Sequence, residues 1–62
     1  RMHRQLKARF IEEVVAGDKA FAASQFIEAR EAYYRANGIR PDDAYPKEQI
    51  KKIEEILAKQ RQ

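Results

Sequence analysis

An all-α chain, a helical hairpin followed by a third C-terminal helix, is the fold class this sequence predicts, and three observations predict it. Apolar residues recur at steps of three and four through three separate stretches, the period of one helix face. Between Gly17 and Pro41 small residues (Gly17, Ala20, Ala29, Ala36) alternate with aromatic ones (Phe21, Phe26, Tyr33), at spacings that let two antiparallel helices approach closely while rings fill the gaps. Pro41 and Pro46 bracket a short polar connection, where one helix must stop and another can begin.

The first helix is expected over about residues 2–23. Met2, Leu6, Phe10, Val14, Gly17 and Phe21 form its stripe, widened by Ile11 and Val15, with Arg4, Lys7, Glu12 and Asp18 mostly on the other side. Glycine costs about 1 kcal/mol against alanine inside a helix, so Gly17 is read as a place where another backbone comes close. Ser24 is expected to cap the second helix, placed at about 25–37, with Phe26, Ala29, Ala32, Tyr33 and Ala36 buried and Tyr34 partly outside the hairpin contact, packed toward helix three. Glu31 and Arg35 stand four apart, in the favourable orientation for an ion pair. Asn37 and Gly38 are expected to supply a left-handed exit, and Pro41 prevents continuation. The third helix is expected over about 46–60, with Pro46 at its first position and Ile50, Ile53, Ile56 and Leu57 facing inward. The pairs Glu48–Lys52 and Glu55–Lys59 support its wet side.

These 62 residues, 1–62, make one domain with a thin core. There is no cysteine for a disulfide or a thiolate metal site, so further stability is expected from a neighbouring unit or a second copy. The sequence begins at Arg1 rather than at a methionine, which fits a piece of a longer or processed protein. Charged residues make up 37% of the chain, and no apolar run approaches the ~20 residues of a membrane span. Lys and Arg exceed Asp and Glu by three, and the excess lies at the ends: Arg1, Arg4, Lys7 and Arg9 precede the first acid, and Lys59 and Arg61 close the chain.

The spacing from Phe10 to Asp43 resembles the tetratricopeptide repeat, a helix-turn-helix unit of about 34 residues. Gly17, Ala29, Tyr33, Ala36 and Pro41 match its small, aromatic and proline positions in one register, and Phe26 matches the aromatic that opens its second helix. Glu13, Ala16 and Ala20 depart from its first-helix tryptophan, leucine and tyrosine, with Val14, Val15 and Phe21 beside them. The segment around Tyr45-Pro46 is similar to a variety of the repeat found in tandem in cell-envelope proteins of the Bacteroidetes. That likeness implies a bacterial envelope or periplasmic setting, and a third helix acting as the first helix of a next unit or as a cap.

No residue set reads as catalytic. His3 stands in a basic segment without the further ligands that a metal needs. The neighbouring carboxylates Glu12/Glu13, Asp42/Asp43 and Glu54/Glu55 diverge by about 100° on a helix rather than sharing a cleft. Ser24 has no histidine placed to activate it, and no glycine-rich phosphate loop is present. The chain is therefore expected to be a non-catalytic interaction or scaffold module without a cofactor. The resemblance implies a groove lined by first helices, which falls on Ile11, Val14, Val15, Asp18 and Phe21, with Glu48 and Gln49 on the following helix. Asp18 and Glu48 would repel a terminal carboxylate, so the expected partner is an apolar or basic protein or peptide segment. The N-terminal part of the stripe, Met2, Leu6, Phe10 and Val14, exceeds what the second helix can cover and is expected to serve self-association or a neighbouring repeat. A basic helical nucleic-acid-binding module is the alternative, resting on the four N-terminal cations.

Overall fold

The computed structural model describes residues 6–60 as three α-helices: α1 (Leu6–Ala22), α2 (Phe26–Ile39) and α3 (Ala44–Gln60). Helix α2 is central, packing against α1 on one side and α3 on the other, and α1 and α3 touch little among the described residues. The hairpin with a third helix is thus the observed architecture.

Close approach of α1 and α2 depends on size. On α2, Ala29, Ala32, Tyr33 and Ala36 are buried, and Gly17 of α1 lies under the Tyr33 ring. A Cβ at position 17 would come within 2.7 Å of Tyr33 Cε1, nearer than real carbon atoms pack. Against the other side of α2, α3 buries Pro46, Ile50 and Ile53. Phe21 and Phe26 meet edge to face at 5.5 Å between ring centres and, with Leu57, close the end of the core near the hairpin turn.

The first turn departs from expectation. Ser24 does not cap α2: Gln25 holds that position, without a side-chain cap bond. Ser24 has φ 62°, its N–H donates to the Phe21 carbonyl and the Gln25 N–H donates to the Ala20 carbonyl. This is the left-handed stop that closes the last turn of α1, so the serine ends one helix rather than starting the next.

The second turn departs as well. Gly38 has no positive φ and α2 runs on to Ile39, because Pro41 acts one residue back, holding Arg40 at φ −131° and ψ 81°. The Asp43 N–H then donates to the Arg40 carbonyl, closing a tight turn around Pro41 and Asp42. Asp43 Oδ1 accepts from the Tyr45 N–H at 2.9 Å, so α3 starts at Ala44, two residues before Pro46. Pro46 still falls within the first turn, where a missing N–H leaves no bond unmade.

Ion pairs join helices rather than running along them. Arg35 Nε donates to Glu13 Oε1 of α1 at 2.9 Å instead of pairing with Glu31, and Arg30 lies 4.0 Å from Glu54 of α3. Among the described residues neither Glu48–Lys52 nor Glu55–Lys59 closes to ion-pair distance.

Two substitutions to alanine should have opposite signs. Gly17→Ala should lower stability by about 1–2 kcal/mol in denaturant melts, since the buried Tyr33 ring leaves the methyl no space. Gly38→Ala has open space around it and a helical backbone, so it should raise stability by up to about 1 kcal/mol. At Ser24, replacement by glycine should add up to about 1 kcal/mol by removing the steric cost of a left-handed non-glycine residue, read in the same melts.

Candidate functional site

The face shared by α1 and α3 carries the residues that the sequence nominates. Taking 100° per residue, Ile11, Val14, Val15 and Asp18 fall on one flank of α1, beside the face that packs on α2. Ile11 and Val15 are 51% and 42% exposed. Val14 and Phe21 are half-buried, Glu48 is exposed and Gln49 is half-buried.

Phe10 belongs to the core instead. It is buried at 8% exposure, and the Arg40 guanidinium covers it at 5.3 Å from the ring centre. The expected exposed stripe is therefore interrupted at this residue, which shares the face of α1 that carries Gly17 and has a cation of the chain leaving α2 over its ring. Met2 and the side chain of Leu6 lie outside the described residues, as does His3.

At the C-terminal end of this flank sits a polar node. Asp18 Oδ1 accepts two hydrogen bonds, one from the Tyr33 hydroxyl and one from the Tyr45 hydroxyl at 2.7 Å, and the two rings meet edge to face at 6.1 Å. Three helices thus meet at one carboxylate oxygen. Burial of Tyr33, followed by its bond to Asp18, raises its hydroxyl pKa above the ordinary tyrosine value of 10.0. At Tyr45 the larger cause of a raised pKa is the Asp18 bond, and burial adds to it. Asp18 forms no ion pair with a cation among the described residues.

The α2–α3 side has a second concavity. A groove of about 530 Å³ is lined by Ile27, Arg30, Glu54, Leu57, Ala58 and Gln60, and Ile27 is 49% exposed. Beside it the Tyr34 hydroxyl donates to Glu54 Oε2 at 3.2 Å, so Tyr34 does pack on α3 with its ring half in water. Ile27 lies outside the apolar stripe of α2, so the sequence alone does not point to this groove.

Among the described residues no group of three metal-ligating side chains converges, and no helix is long and apolar enough to cross a membrane. Comparison with family models, with curated proteins and with solved structures gives no match.

The tyrosine node sets a pH dependence. The folded chain holds the Tyr33 proton to higher pH than the unfolded chain, which releases it near the ordinary value of 10.0. The stability it contributes is full below pH 10 and falls as pH rises beyond. Tyr33→Phe should lower stability at pH 7 by about 1 kcal/mol and flatten the decline between pH 10 and 11, as measured by urea melts across that range.

Proposed function

We propose that this chain is a non-catalytic protein-interaction or scaffold module, a tetratricopeptide-like hairpin with a closing helix. On this reading the α1 flank beside α3 takes an apolar or basic protein segment. The observation that carries it is the pair Ile11 and Val15, two exposed aliphatic side chains one turn apart, with the Asp18 carboxylate one turn further along.

The packing of Gly17 and Ala29 against Tyr33 supports the likeness to the repeat, because the matching positions serve a close helix approach in this chain. The opposite outer surface supports a cap role for α3. Lys47, Lys51, Lys52, Glu55 and Lys59 on the side of α3 away from α2 are all exposed, and terminal units of helical arrays need such a polar face.

Two amphipathic probe peptides of equal length test this, one of leucine and lysine and one of leucine and glutamate. Fluorescence anisotropy should give at least about tenfold tighter binding of the lysine peptide. Ile11→Ser with Val15→Ser should weaken that binding by about tenfold while the chain stays folded, since both side chains are half in water and lose only part of their burial. Equal binding of the two peptides, or no response to the double substitution, would overturn the assignment. Tight binding of duplex DNA with a steep loss between low and physiological salt would favour the nucleic-acid alternative.

A further inference from the structure

The exposed flank of α1 is bipolar. Lys7, Ile11, Val14, Val15 and Asp18 fall within about 100° of helical arc, so a cation stands at one end, aliphatic side chains fill the middle and a carboxylate stands at the other end. Lys7, Ile11, Val15 and Asp18 are exposed. From Lys7 to Asp18 the rise is eleven residues, about 16 Å, so the two charges cannot meet within one helix. Asp18 is held in place through one oxygen by Tyr33 and Tyr45 and is paired with no cation among the described residues.

We propose that this flank is the contact surface of a symmetric dimer, in which α1 of a second copy lies antiparallel against it. The proposal rests on the interaction-module reading and names the partner. In an antiparallel pair related by a two-fold axis, position 7 lies opposite position 18 of the other copy, and position 11 opposite position 14. Each Lys7 then faces the other copy's Asp18, twice over by symmetry, while Ile11 packs on Val14 and Val15. A parallel pair would set Lys7 against Lys7 and Asp18 against Asp18. A head-to-tail stack would press the aliphatic flank onto the exposed Lys47, Lys51 and Glu55 of α3. The antiparallel pair alone buries the aliphatic side chains and opposes unlike charges.

Three turns of one helix give an interface at the small end of the stable range, so the dimer dissociates at roughly micromolar to millimolar concentration. Its charge pairing is open to a zero-length test. A carbodiimide joins an amine to a carboxylate in direct contact, and the distance along α1 prevents a Lys7–Asp18 link within one chain.

Sedimentation equilibrium of the 62-residue chain over a hundredfold concentration range should give a monomer–dimer equilibrium. Carbodiimide treatment of an equal mixture of isotope-labelled and unlabelled chain should give a Lys7–Asp18 cross-linked peptide carrying one label. Lys7→Glu should raise the dimer dissociation constant at least about tenfold and leave the melting temperature at low concentration unchanged, because Lys7 is exposed. A dimer without the Lys7–Asp18 link, or one indifferent to Lys7→Glu, would overturn the antiparallel pairing. A monomer at every concentration would overturn self-association altogether, and the peptide-binding result above would then still decide the interaction-module reading by itself.

Discussion

The position of the Tyr33 ring over Gly17 is the constraint from which the rest of the molecule follows. A ring buried at the crossing of two helices needs a residue without a side chain beneath it, and Gly17 supplies this on α1. Alanines at 29, 32 and 36 keep the remaining α2 surface low, so the helices lie close along their length rather than at one point. Burial of the ring forces its hydroxyl to find a partner, and that partner is Asp18, the residue next to the glycine. The carboxylate is thereby fixed where Tyr45 of α3 can also donate to it, so packing and polar pairing reinforce each other at one place.

Because α2 lies between its neighbours, each outer helix keeps a flank that the described residues do not cover. The two flanks differ in chemistry. On α3 the outer side is a mixture of exposed lysine and glutamate, which water solvates well. On α1 it has two aliphatic side chains in a row, and these lose nothing by leaving water. This difference leaves one outer side polar and the other partly apolar.

Most of the fold was legible in the sequence, since a period of three and four is a strong signal and Ala29, Ala32, Tyr33, Ala36, Ile50 and Ile53 all lie on the predicted inward faces. The helix ends were less legible, because they are set by competition between local chemistries. Ser24 is a common start signal, yet two backbone bonds across a left-handed residue made it a stop. Gly38 is a common stop signal, yet proline two residues beyond the helix sets the limit without any left-handed turn. Of the candidate surface, the exposure of Ile11, Val15 and Asp18 was legible from their place on the flank of α1, whereas the cation over Phe10 was not, because Arg40 comes from thirty residues away along the chain. The shared hydrogen bonds of Tyr33 and Tyr45 were hidden for the same reason, as they depend on how α3 lies across the hairpin.

The serial packing of α1 on α2 and of α2 on α3 has a consequence in time. Among the described residues every large contact joins helices adjacent in the chain and linked by a short turn, so the mean sequence separation of contacting residues is low. Helical proteins wired in this way fold in about microseconds to milliseconds. Two chains at micromolar concentration, with ordinary association rates of about 10⁵–10⁷ M⁻¹s⁻¹, meet on a scale of about 0.1–10 s. Folding is thus complete before two such chains meet, and the partly apolar flank of α1 is already in place when they do.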